Sequence, residues 1–351
     1  MAGKSHISKR ARDVHFSSMV VDGLSAAPMT AEHYARLRKG GVTVVNFTST
    51  GSRADLDQAL EDLAALHQNV EAHRDLVTIV KTTHEMIEAQ SQGRIGLIAG
   101  LQNARPVGDS LKSLHILYLL GVRVIQLTYN ERNLIGDGCT EASNAGLSHF
   151  GRQLIAEMNR LGIVIDLGHC GERTTLEAIE LSKDPVIISH GNAKDLCPSP
   201  RNKTRAVLES LAARGGVIGV CCWSPITYSN PNRRPGLKEF FAHLEYLVQH
   251  AGIDHVGIGT DIGEGESRVL YDASFSKRDS KYPEVTSGLG KWYTFDTRLI
   301  DGFESVAHFP RVTQGLIDRS YTEVDIRKIL GGNFLRVMGQ VMDKRGTSES
   351  A

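Results

Sequence analysis

Residues 161–192, LGIVIDLGHCGERTTLEAIELSKDPVIISHGN, restrict the fold more than any other part of the chain. Two short apolar runs, 163–167 and 186–189, are too brief and too β-branched to be helices. Each leads into a histidine, His169 and His190. Between them, TTLEAIELSK places Leu176 and Ile179 on one side of an amphipathic helix. A strand, a helix and a strand in this span predict a βαβ unit with parallel strands. Both histidines then lie just beyond the carboxyl ends of neighbouring strands, close enough to share a metal ion or a substrate. One histidine after a strand is ordinarily a satisfied loop residue. Two at equivalent positions on adjacent strands point to a site.

The remainder of the chain repeats the same alternation. Apolar runs at 17–22, 42–47, 95–100, 122–127, 216–220 and 255–259 join the two histidine strands, which come fifth and sixth. Helical patterns occupy 30–41, 54–71, 76–90, 109–120, 148–161, 205–214 and 237–251, and 301–314 and 322–342 read as closing helices. The segment 148–161 is the clearest: Ser148 caps it, Leu154, Ile155, Met158 and Leu161 share a face, and Gly162 ends it. Eight strands, each followed by a helical pattern, predict a (β/α)8 TIM barrel in one domain spanning 1–351. Residues 1–15 read as a loose basic arm. The polar, aromatic segment 264–303 reads as an elaborated loop or lid after the eighth strand, and 133–146 as a long functional loop.

With 40 basic and 40 acidic side chains and a pI near 7.2, nothing draws the chain to nucleic acid or an anionic membrane. The basic start lacks the apolar segment of a secretory signal, and no run is long enough to span a bilayer. Cys139, Cys170, Cys197, Cys221 and Cys222 form an odd set without zinc-knuckle spacing, as expected of reduced thiols in a cytoplasmic protein.

The strand ends offer Asp22, Asn46, Gln102, Tyr129, His169, His190, Trp223 and Asp261. Asp261, closing HVGIGTD, faces the barrel mouth and is suited to move a proton between water and a leaving group; the structural alternative is a cap or a histidine's partner. Arg201, in the loop CPSPRNK, suits bidentate capture of a carboxylate, against the reading of an ordinary surface charge. His33, His67, His73, His84, His115, His149, His243, His250 and His308 carry no positional argument.

The blocks IDLGH, VIISH, PRNK, GLSHFGRQLIAEMNRLGIVIDL and GIGTD, with the closing TEVDIRKILGGNFLRVM, resemble the renal, or membrane, dipeptidase family of zinc peptidases among the amidohydrolase-type barrels. The resemblance spans most of the chain and is strongest over 121–261. It implies two zinc ions at the barrel mouth, one held by a D-G-H-x-D motif after the first strand, with a glutamate after the third strand bridging both. It maps the second ion's histidines onto His169 and His190, the acid–base aspartate onto Asp261, the carboxylate-binding arginine onto Arg201, and it implies a homodimer. Here, however, the motif reads Asp22-Gly23-Leu24-Ser25-Ala26, the bridging glutamate aligns with Gln102, and a substrate-contacting histidine aligns with Tyr129. An uncompensated buried dication is unfavourable by several kcal/mol. At most one Zn²⁺ is therefore expected, on His169 and His190 with help from Asp261, Gln102 or Tyr129.

The expected function is that of a divergent metallohydrolase cleaving an amide or peptide bond in a small dipeptide-like substrate with a free carboxylate. Asp261 and Tyr129 are the catalytic candidates, and Arg201, Gln102 and Asn130 the substrate-binding ones. The alternatives are a metal-free enzyme of another reaction type on a small acid, and a catalytically silent ligand-binding barrel.

Overall fold

The computed structural model describes residues 7–277 and 280–344. Nine parallel strands form one sheet: β1 (Val21–Ser25), β2 (Val44–Thr48), β3 (Val77–Ile79), β4 (Ile95–Leu101), β5 (Val122–Gln126), β6 (Val164–Asp166), β7 (Ile187–Gly191), β8 (Val217–Val220) and β9 (Val256–Ile258). Eight of them follow in the order β1-β2-β4-β5-β6-β7-β8-β9, and β3 pairs only with the start of β4. The circle is completed by a parallel bridge from Ser25 to Ile262 and by the Asp261 N–H, which donates to Leu24 O at 3.0 Å. The architecture is the expected (β/α)8 barrel. Helix Leu237–Ala251 lies where its periodicity placed it. Helix His149–Leu161 is capped by Ser148, whose hydroxyl accepts from Gly151 N. Gly162 ends that helix at φ 73°, a left-handed conformation that favours glycine.

Four segments differ from expectation: the first strand, read at 17–22, lies at Val21–Ser25, the closing helix read over 301–314 is Pro310–Asp318, and two others depart further. The helix predicted over 76–90 divides into strand β3 and helix Thr83–Ser91. The β-branched run Val77-Thr78-Ile79 pairs with β4, and Thr82 then caps the helix by accepting from Glu85 N. The loose basic arm is also corrected in part, because Lys9–Phe16 is a helix capped by Ser8. His15 explains its docking: the buried ring bonds Thr313 Oγ1 and Gly40 O, both at 2.7 Å.

The amino-terminal end of the barrel is closed by the helix Asn333–Met342. Phe334, Val337, Met338 and Val341 pack among Val21, Val44, Val164, Ile187 and Val217, which begin their strands, and Val124 within β5. The Phe334 ring needs glycines beside it, since a Cβ on Gly257 or Gly23 would lie 2.5 Å from ring carbons. Phe334→Ala should therefore lower unfolding free energy by about 3–5 kcal/mol, read as a lower denaturant midpoint at unchanged m-value. A loss below about 1 kcal/mol would contradict this role.

The carboxyl-terminal end is covered by loops. Segment 264–303 carries helices Arg268–Phe275 and Pro283–Thr286, joined to the barrel by aromatic contacts. Trp223 Nε1 donates to Tyr271 Oη at 2.9 Å, and Tyr271 shares a 2.7 Å hydroxyl contact with Tyr293. The loop 133–146 folds over β6, its Cys139 N–H donating to His169 O at 2.9 Å. All five cysteines are unpaired. Among the described residues, no helix is long and apolar enough to cross a membrane.

Candidate active site

The mouth of the barrel holds a cavity of ≈ 70 Å³ whose walls include Gln102, Tyr129, His169, Trp223, Asp261 and Glu266. Five of these sit at strand ends, as the sequence placed them, and Glu266 comes from segment 264–303. His190 and Arg201 lie deeper.

Asp22 opens the site without facing it. Its carboxylate accepts from Thr260 N at 2.8 Å, Thr260 Oγ1 at 2.7 Å and Leu24 N at 3.3 Å, stitching β1 to the chain after β9. Burial outweighs these bonds and pushes its pKa up to about 7. One residue beyond Thr260, Asp261 stands at φ 54°, a left-handed conformation unusual for any residue but glycine and tolerated by aspartate. Such strain gathers at working sites. Here it turns the carboxyl into the cavity. Burial raises its pKa to about 7, with Arg201 drawing it back and Glu266 and Asp22 adding to the rise.

The two imidazoles meet directly, Nε2 to Nε2 at 2.9 Å. His169 is held from behind by Asn130 Oδ1 at 2.6 Å, an oxygen that also accepts from Cys139 Sγ at 3.2 Å. His190 Nδ1 lies 2.8 Å from Ser189 Oγ, which lies 2.6 Å from Asp166 Oδ2. The row thus runs from Asn130 through both imidazoles and Ser189 to Asp166. Burial, then the charge of Arg201, holds both imidazoles well below their usual pKa. Burial raises Asp166, although Ser189 N and Gly168 N reach its other oxygen. The Ser189 hydroxyl donates to Asp166 Oδ2.

Tyr129 stacks on His169, ring centroids 4.1 Å apart at 20°. Burial and the neighbouring Asp261 keep its hydroxyl protonated, well above its usual pKa. Gln102 is placed by Gln126, whose amide donates to Gln102 O at 2.6 Å, and the buried Gln102 Nε2 has no hydrogen-bond partner among the described residues. Asn130 Nδ2 is likewise buried and unpartnered, behind His169.

Arg201 is not the exposed loop residue of the bland reading. It is 1% exposed, donates through Nη1 to Gly168 O, and leaves Nε and Nη2 buried without a partner among the described residues. Beside it Lys203 Nζ donates to Leu167 O at 2.9 Å and Cys170 O at 3.0 Å. Burial lowers that ammonium to about 8, which still leaves it charged at neutral pH. Lys203, Asp166 and Ser189 were missed by sequence reasoning. The signal for Asp166 was available, because a carboxylate inside an apolar strand must find a buried partner. Segment 264–303 adds Glu266 and Arg298, paired at 3.4 Å.

These donors do not fit the zinc pair that the resemblance implies. Leu24 is buried and apolar, Ala26 lines the cavity as a methyl, and Gln102 stands where a bridging carboxylate is required. For the single ion expected on His169 and His190, a tetrahedral zinc would hold two ligand nitrogens about 3.3 Å apart, wider than their 2.9 Å contact. Among the described residues no third His, Cys, Asp or Glu completes a group able to hold a metal, Asp261 included.

The comparisons with known proteins agree with the fold. A solved amidohydrolase from Pseudomonas aeruginosa is 32% identical and superposes with a TM-score of 0.85, covering 95% of this chain and 99% of that one. A metallo peptidase from Rhodobacter sphaeroides, solved with a phosphinate mimic of the dipeptide L-Ala-D-Ala, shares the fold at 20% identity, a TM-score of 0.76, and coverage of 93% and 100%. Dipeptidase verJ of Clonostachys rogersoniana is 28% identical over 298 residues, which make up 84% of this chain and 68% of that relative. The profile of the membrane dipeptidases, peptidase family M19, matches residues 8–294 and 286–350. By that match the chain belongs to the membrane dipeptidase family of hydrolases.

Proposed function

We propose that the chain hydrolyses an amide or peptide bond in a small, dipeptide-like substrate bearing a free carboxylate. The observation that carries this reading is the pairing of unspent donors on Arg201 with a cavity-facing Asp261 of raised pKa. A buried guanidinium with open N–H groups is matched best by a carboxylate, which it can grip with two parallel bonds. In this reading the substrate's carboxylate binds Arg201, with the Gln102 amide donating beside it and Asn130 supporting the same wall.

Asp261 then takes a proton from a water molecule as the water oxygen bonds to the amide carbon. The oxygen of that carbon becomes an oxyanion and accepts from the Tyr129 hydroxyl. Asp261 returns the proton to the nitrogen as the C–N bond breaks, giving a carboxylate and an amine. His169 and His190 form the neutral floor against which Tyr129 is stacked.

A panel of dipeptides and N-acyl amino acids, followed by mass spectrometry in ¹⁸O-water, tests the reading. Substrates with a free carboxylate should be cleaved with one ¹⁸O entering the new carboxyl group. A product that forms without ¹⁸O would instead support a non-hydrolytic reaction on the same small acid. No turnover anywhere in the panel would overturn the hydrolase proposal.

A further inference from the structure

We propose that this barrel mouth works without a resident divalent metal, its fixed positive charge being supplied by the buried side chains of Arg201 and Lys203. The inference rests on reading the mouth as the reaction site and deepens that reading.

The geometry is that of the turn presenting His169. Every carbonyl from 167 to 170 is already engaged: Leu167 O and Cys170 O by Lys203, Gly168 O by Arg201, His169 O by Cys139 N. Two of these donors are cations nearly free of solvent contact, Arg201 at 1% and Lys203 at 3% exposure. They are tied to the backbone on either side of His169 and act on both imidazoles. A dication placed between the imidazoles would meet that field, with Leu24, Ala26 and Gln102 offering no anion to offset it. Losing Lys203 would leave Leu167 O with only the Cys170 N–H at 3.3 Å and Cys170 O with only the Thr175 hydroxyl at 3.4 Å, both weaker than the bonds the ammonium makes. Lys203 is in this sense a positioning residue for His169. Charge that a metal would bring from solution is here part of the chain.

The test uses the full-length protein purified without chelator. Elemental analysis should find well under one zinc, manganese, iron, cobalt or nickel per chain. The melting temperature should be the same, within about 1 °C, after dialysis against a chelator and after addition of zinc. Calorimetric titration of Lys203→Met with zinc should show binding at least tenfold tighter than in the native protein, because the repelling charge is gone; Lys203→Arg should bind zinc no better than the native protein. A merely structural lysine would not produce that difference. Circular dichroism establishes that each variant is folded; if Lys203→Met does not fold, metal content and chelator response of the native protein decide the matter.

Stoichiometric metal that the chelator removes with a fall in melting temperature would overturn the proposal. So would zinc binding that Lys203→Met leaves unchanged. The outcomes separate from those of the hydrolase reading. Hydrolysis abolished by chelator would sink this inference and leave the hydrolase in place. A metal-free, chelator-indifferent protein that cleaves nothing in the panel would do the reverse.

Discussion

Asp261→Asn is expected to lower kcat on the best amide substrate by about 10²–10⁴-fold while leaving KM within a few-fold of the native value. The substitution is close to isosteric, and asparagine, like aspartate, accepts the left-handed backbone found here at φ 54°. It keeps the Asp261 N–H bond to Leu24 O that helps close the barrel. What it removes is the ability to carry a proton from water to the leaving nitrogen. Folding should not suffer, because the native carboxyl is buried at a desolvation penalty that the amide does not bear. A variant retaining more than half of the native kcat would remove Asp261 from the chemistry, whatever its geometry.

The pH dependence follows from the same carboxyl. As a base it must be ionised, so kcat/KM should rise as pH passes through about 7, the value to which burial lifts it. That limb should vanish from the residual activity of Asp261→Asn. Stability should run the opposite way. An unfolded aspartate releases its proton near pH 4, whereas folded Asp261 and Asp22 hold theirs to about 7. Between those values the folded state binds more protons than the unfolded one, so stability is greatest below pH 4 as far as these two groups go, and is lost as pH climbs to about 7. Denaturant midpoints measured across pH 5 to 8 should fall less steeply in Asp261→Asn than in the native protein.

The barrel was legible because its strands are short runs of valine and isoleucine that end in polar residues, while its helices carry a 3.6-residue stripe. Strand β3 was hidden for the opposite reason: three residues set among helix formers reveal themselves only through pairing with β4. The helix Lys9–Phe16 was hidden because His15 and Ser8 find their partners far along the chain, at Thr313, Gly40 and Gln314. In the site, His169, His190 and Asp261 were found by position, since each closes a strand. Arg201 was found by type, but its depth was not legible, because Gly168, its carbonyl partner, belongs to another strand's loop. Lys203 reads in sequence as one more surface lysine. Its depth comes from Leu167 and Cys170, which no local pattern discloses. The aromatic wall of Trp223, Tyr271, Phe275 and Tyr282 has no period because its members come from two separate loops.

Arg201→Met is expected to raise KM for substrates with a free carboxylate by at least about tenfold, and by up to about a thousandfold if both open N–H groups engage it. The same variant should treat carboxamide-capped versions of those substrates much as the native protein does. The capped substrate decides the cause. A guanidinium that merely supported the turn at Gly168 would, once lost, slow both substrates equally through a misplaced His169. One that grips the substrate should discriminate between them. Methionine fills most of the arginine stem and leaves no buried donor unpaired, so a folded variant is expected, though Gly168 O loses one partner. Arg201→Lys separates charge from fork geometry: an ammonium restores attraction without the two parallel bonds, and should recover only part of the affinity. The outcome that would sink the assignment is an equal loss on capped and uncapped substrates, which would make Arg201 a support for His169 and leave the carboxylate to be bound elsewhere. Arg298 would then be the candidate, since it lines the cavity from segment 264–303.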